Sequence, residues 1–165
     1  MHDALSAPKF TLKDSKLYFD ELLKKLPKAK DRIVIAAMVV LWGEKTDPLF
    51  DQIEKALKRG VRVHILLDNY TRLAIVNNSG ISSNTWRIRL KKTLLELERF
   101  RKDGARISYV GKIGLNPYRG RYHVKVTIVD DDCYSFGGIN FSDEHLANND
   151  YMLHTHDQSV ADCLE

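Results

Sequence analysis

With 165 residues, 44% of them hydrophobic, the chain is long enough for one ordinary domain with its own core and too short for two of usual size. Lys and Arg total 26 against 22 Asp and Glu, a formal charge of +4, and the pI near 9.0 suits an anionic partner, nucleic acid or lipid headgroup, without requiring one. Cys133 and Cys163 have neither CxxC nor Cys/His ligand spacing, which argues against a disulfide framework and a zinc site and makes a reducing compartment the expectation. The longest apolar run, Ile33 to Trp42, is about strand length and far from the roughly 18 residues of a membrane span. With Asp3 and no apolar stretch behind it, the N-terminus does not read as a signal peptide. A soluble chain is expected, cytoplasmic or peripheral on the inner face of a membrane.

Lys16 to Leu26 sets Leu17, Phe19, Leu22, Leu23 and Leu26 near one face at helical spacing, with Asp14 or Ser15 as cap. The continuous apolar run Ile33 to Leu41 predicts a strand buried on both faces. Asp47-Pro48 opens a helix that runs to Arg59 and stops at Gly60, and Val61 to Leu67 is a second buried strand ending in Asp68. Strand, helix, strand in this order is a β-α-β unit, so the class is α/β with a parallel pair. Leu73 to Asn84 turns polar and loop-like, followed by a helix from Thr85 to Lys102, a strand Arg106 to Val110 and a Gly/Pro loop from Gly111 to Gly120. Loops at the carboxyl ends of strands in open α/β sheets are where function collects.

The chemistry lies further on. Tyr122 to Asp130 reads as a strand, and its period of two puts His123, Lys125 and Thr127 on one face with Val124, Val126 and Ile128 on the other. An imidazole and an ammonium two apart on one face can converge on one anion, the first as nucleophile or base, the second neutralising charge. Asp130, seven positions on, has the opposite parity and is expected to shape the Asp130-Asp-Asp132 turn. Cys133 to Phe136 returns as a strand ending in Gly137-Gly-Ile-Asn140, where glycines admit close backbone approach and Asn140 brings an amide donor back toward His123. Asp150 opens a last strand to His156, and a helix follows from Ser159 to Cys163.

His123-x-Lys125, four residues, Asp130, six residues and then Gly137-Gly138-x-Asn140 resembles the HKD signature of the phospholipase D superfamily. Gly60-Val-Arg-Val with Ile65-Leu-Leu-Asp68 looks like the stretch ahead of the motif in bacterial cardiolipin synthases. Gly138 stands where the commoner form has serine, and Phe141-Ser-Asp-Glu144 continues the cardiolipin synthase variant. The similarity runs over residues 16 to 163 and is strongest to the N-terminal half of a two-motif phosphatidyltransferase such as a cardiolipin or phosphatidylserine synthase. It implies one phospholipase D-like α-β-α sandwich over residues 1–165, with a central mixed, largely parallel sheet. It further implies phospholipid chemistry through a phosphohistidine on His123, phosphoryl oxygens held by Lys125 and Asn140, no metal or other cofactor, and an acidic residue after the glycines that pins the nucleophile. Asp150 best fits that last position, with Asp143 and Glu144 as fallbacks. Asp130, Gly137 and Gly138 are assigned to the motif's framework, and Arg121 and Tyr122 to substrate binding.

Cleaving a phosphodiester also needs a general acid opposite the nucleophile, and one HKD histidine is present. A second half is therefore expected, from a C-terminal continuation or by homodimerisation. The closing Leu164-Glu165 resembles a cloning-site remnant, and the chain reads as a piece of something longer. Two readings compete with a lipid enzyme: an HKD endonuclease, less favoured, and a non-catalytic phosphate-binding half-domain, against which the intact His123, Lys125 and Asn140 argue. His154 and His156 share a face without a third ligand, His64 reads as a hydrogen-bonded core histidine, and His145 suggests no role. The basic and apolar residues between Trp86 and Phe100 suit core docking better than a membrane surface.

Overall fold

The computed structural model describes residues 7–71, 84–112 and 120–165, with residues 84–86 described by backbone alone. The polar segment from Leu73 up to the helix, and 113–119 of the Gly/Pro loop, lie outside the described residues.

The chain begins with a strand that periodicity did not disclose, β1 (Thr11–Asp14), and runs directly into α1 (Ser15–Lys25), which Asp14 caps by accepting from Leu17 N at 2.8 Å. The inward face of α1 is Tyr18 and Leu22, with Leu26 just beyond, rather than the face through Leu17, which is half exposed. Tyr18 is drawn inward because its hydroxyl finds Thr127 Oγ1 at 2.7 Å inside the core. β2 (Arg32–Ala37), α2 (Asp47–Lys58), β3 (Arg62–Asp68), α3 (Asn84–Lys102) and β4 (Arg106–Val110) follow the expected alternation. Then come β5 (Val126–Val129), β6 (Asp132–Ser135), a single-turn α4 (Asp143–Leu146), β7 (Tyr151–His156) and α5 (Gln158–Leu164).

One seven-stranded sheet results, in the order β1-β7-β6-β5-β2-β3-β4. It is mixed, and the largely parallel expectation holds only for β2, β3 and β4. The four other pairings are antiparallel, because β5 folds back on β6 through a tight turn and lies against β2 in the reverse direction. The sandwich is unequal. Most of the core lies under α1, α2 and α3, where Ile33, Ile35, Ile65, Leu67 and Val129 meet Leu22, Ile53, Leu57, Leu97 and Phe100. The other face carries a smaller cluster of Val34, Ala36, Val126, Ile128 and Cys133, packed against Ala161 of α5. Ile88 and Leu95 of α3 stay exposed while Leu90, Leu97 and Phe100 dock. No helix among the described residues is long and apolar enough to cross a membrane.

Candidate active site

β5 keeps the predicted alternation, Thr127 toward the larger core and Val126 and Ile128 toward the smaller. It begins four residues later than the periodicity suggested, at Val126, so His123 and Lys125 stand on the extended segment leading into it. Released from the ladder, His123 is exposed and Lys125 turns back upon it, its ammonium donating to His123 O at 2.9 Å and His123 Nδ1 at 3.2 Å. Lys125 is only 5% exposed. Burial lowers its pKa, and the Asp150 carboxylate opposes that shift from across the cleft.

A cleft of about 440 Å³ opens at this point, lined by His123, Lys125, Gly137, Gly138 and Asp150 together with the apolar Val124, Val126, Phe136, Tyr151 and Leu164. Both glycines are demanded by contact. A Cβ on Gly137 would run into the Tyr151 carbonyl, and one on Gly138 into the Asp150 carboxylate. Gly138 thus lets the short Asp150 side chain sit against the backbone beside Lys125. Phe136, at the lip, has φ +50, a left-handed conformation that is strained for an aromatic residue.

Asn140 is buried and does not line the cleft, because its amide is held from both ends. Oδ1 accepts from Val39 N at 3.2 Å, and Nδ2 faces His145 Nε2 at 3.1 Å. Asp143 and Glu144 turn away toward Arg89, and Asp143 also accepts from the backbone of Lys45 and Thr46. Of the three acidic candidates, Asp150 alone reaches the cleft. Its Oδ1 accepts from Tyr151 N at 2.8 Å, while among the described residues the His123 ring is hydrogen-bonded to Lys125.

Arg121, expected as a substrate contact, has a guanidinium that donates to the fully buried Asp68 at 3.0 Å and to Lys112 O at 2.9 Å. Asp68 also accepts from Tyr122 N and from Tyr70 N, so it clamps the end of β3 to the segment carrying His123. Tyr122 packs half-buried against the smaller core, and burial raises its pKa. Asp130 lies at the far end of β5, where it accepts from Lys30, Asp31 and Arg32 N. His154 and His156 both reach Asp132 Oδ1, which Lys25 also occupies, and among the described residues no group of three or more potential ligands is placed to hold a metal ion. His64 is half-buried and bonded to Ser108 Oγ at 3.1 Å.

A family profile described as the phospholipase D-like domain of cardiolipin synthase matches residues 22–165. The chain belongs to the phospholipase D superfamily, in its cardiolipin synthase-like domain family. It is 26% identical over 160 residues to cardiolipin synthase B of Salmonella typhimurium, covering 93% of this chain and 36% of that one. To a cardiolipin synthase of Oceanobacillus iheyensis it is 28% identical over 155 residues, covering 92% and 29%. The chain therefore spans about a third of the length of the curated relatives it matches. Its fold is that of the phosphatidylserine synthase of Haemophilus influenzae (TM-score 0.73, 16% identity, 94% of this chain and 35% of that one). NucT from Helicobacter pylori shares it at TM-score 0.60 and 18% identity over 94% of this chain and 90% of that one.

Within this phospholipase D-like domain, sequence reasoning missed His145 and the apolar lip of Phe136 and Tyr151. His145 was findable from Ser142-x-x-His145, the spacing at which a capping serine meets the first turn of a helix, and Ser142 does cap α4.

Proposed function

We propose that this domain is the His123-bearing half of a phosphatidyltransferase that acts on phospholipids through a phosphohistidine. The observation that carries the reading is the pairing of His123 and Lys125 in the lining of a cleft whose lip is apolar, with Val124 and Tyr151 each 48% exposed and Phe136 68%. Such a lip suits a glycerol backbone and the start of acyl chains, and a cleft that, among the described residues, is lined by the single ammonium of Lys125 suits one phosphodiester. A nucleic-acid strand would instead demand successive cations along its backbone, and Arg121 is withdrawn into its pair with Asp68.

An ammonium can only donate, so the Lys125 contact calls for a lone pair on Nδ1 and leaves Nε2 as the ring nitrogen that carries the proton. A bound phosphodiester draws the ammonium onto its oxygens; Nε2 then gives its proton to water while Nδ1 takes one from water and turns it toward the Asp150 carboxylate, which leaves Nε2 with a lone pair. A bond then forms from Nε2 to phosphorus, while the bond to the headgroup alkoxide breaks and a general acid from a second HKD half protonates it. An acceptor alcohol, or water, reverses the sequence and regenerates His123. The second half comes from a continuation of the chain or from a second copy.

Vesicles containing phosphatidylglycerol and single-stranded DNA, offered in parallel to this domain with and without a second HKD half, test the reading. Transfer or hydrolysis of lipid only when both halves are present is the expected result. Cleavage of DNA with inert lipid would overturn the substrate class, and full turnover by a proven monomer would overturn the two-half mechanism.

A further inference from the structure

We propose that His145 is a positioning residue of this centre, fixing the orientation of the Asn140 amide, which lies behind the cleft lining in this structure, so that its second N–H stays available to a phosphoryl oxygen once a phosphodiester is bound; the inference rests on the reading of the cleft as a phosphodiester site. The chain of bonds starts from a group whose polarity cannot change. Val39 N is a backbone donor, so the Asn140 atom facing it at 3.2 Å is Oδ1. Nδ2 is thereby turned toward His145, and at 3.1 Å from Nε2 it donates, which requires a lone pair on that ring nitrogen. The ring proton then sits on Nδ1, where it donates to Ser142 Oγ at 2.8 Å, and Ser142 is itself held as the cap of α4. One tautomer of His145 satisfies every member.

Protonation breaks the chain. An Nε2–H would face the amide N–H₂, two donors head to head, and flipping the amide would oppose Nδ2 to Val39 N–H instead. The surroundings keep the ring neutral: burial lowers its pKa first, the Lys125 ammonium acts in the same direction, and the Glu144 and Asp150 carboxylates oppose them. Glu144 is itself paired with Arg89 of α3. His145 thus senses the two charges that flank the cleft while holding the amide assigned to phosphate.

Nitrogen NMR of the imidazole and of the Asn140 side-chain amide, joined to binding of sulfate as a tetrahedral dianion, tests this on the chain as it stands. The expected ring is neutral and Nδ1-protonated at neutral pH, with the amide resonance moving as His145 titrates. His145→Ala should weaken sulfate binding about tenfold, whereas His145→Gln, which restores an acceptor without a titrating ring, should stay within about threefold of wild type. Comparing wild type with His145→Gln cancels contributions common to both proteins, and the affinity ratio should move in favour of His145→Gln as pH falls through the His145 titration. An Nε2-protonated or charged ring at neutral pH, or equal sulfate affinity in wild type and His145→Ala, would overturn the inference. Wild type that binds no sulfate would instead count against the phosphodiester reading, and the tautomer measurement would still decide whether His145 orients Asn140.

Discussion

The two ends of β5 obey different physics. At its outgoing end Asp130 adopts φ +53 at the tip of the β5–β6 turn, and its carboxylate accepts from three successive backbone N–H groups at the start of β2. Next to it, Arg32 is nearly buried and pairs with Asp162 and Glu165 of the C-terminal segment. Polar groups there are satisfied by partners within the fold, which is how a fold joins its central strands. At the incoming end, the ladder stops short of His123 and Lys125, the ammonium contacts its own neighbour, and the Asp150 carboxylate is held beside it by the absence of a side chain on Gly138. Mutations should separate these ends, the first in stability and the second in chemistry.

The largest effect belongs to the nucleophile. With both halves present, His123→Asn should lower lipid turnover by about a thousandfold or more and abolish any acid-labile phosphoenzyme, with thermal unfolding unchanged. Retention of more than about a tenth of the activity would remove His123 from its role. Lys125→Met should raise the barrier by about 3 kcal/mol, roughly a hundredfold in rate, and leave the fold intact. Asn140→Ala should have a comparable kinetic effect but also cost about 1 kcal/mol of stability, since Val39 N loses its acceptor.

Gly138→Ala sharpens the contrast at close range. Its Cβ displaces only the end of the Asp150 side chain, so a fall in kcat of about tenfold with little change in melting temperature is expected. The same change at Gly137 strikes the Tyr151 backbone and should unfold the join between β6 and β7. At the other end, Asp130→Asn keeps a residue type tolerant of positive φ and removes only the charge. It should cost about 1 to 2 kcal/mol in urea unfolding while kcat stays put. Loss of chemistry at unchanged stability would mean that the two ends are not distinct.

The framework was legible where one physical signal dominates. Continuous apolar runs gave β2 and β3, Asp47-Pro48 gave the start of α2, and the spacing from His123 through Asn140 brought out the family. What stayed hidden needed tertiary information. β1 is a four-residue strand, mostly exposed, that exists because β7 offers an edge, and nothing in Thr11-Leu-Lys-Asp14 announces it. Charge alone could not say whether Arg121 faces substrate or a buried partner, since its use depends on Asp68 more than fifty positions away. His145 looked idle for the same reason: its meaning comes from Asn140 and Val39, which the fold, not the spacing, makes adjacent.

The smallest expected effect is a change of sign with pH, and it comes from Lys125. Burial holds its pKa below the ordinary 10.5 despite the nearby Asp150 carboxylate. Between that lowered value and 10.5 the unfolded chain binds more protons at this position than the folded one, so the contribution of Lys125 to stability rises with pH. It is complete above the unfolded value and is lost as pH falls through the folded one. Turnover should run the other way, because a neutral amine no longer balances phosphoryl charge. Lys125→Met isolates the group from the other lysines and tyrosines that titrate in this range. The stability of wild type relative to Lys125→Met should increase on going alkaline, while the kcat/KM advantage of wild type over it shrinks. Parallel loss of both quantities would place Lys125 with Asp130, as a charge that serves the fold.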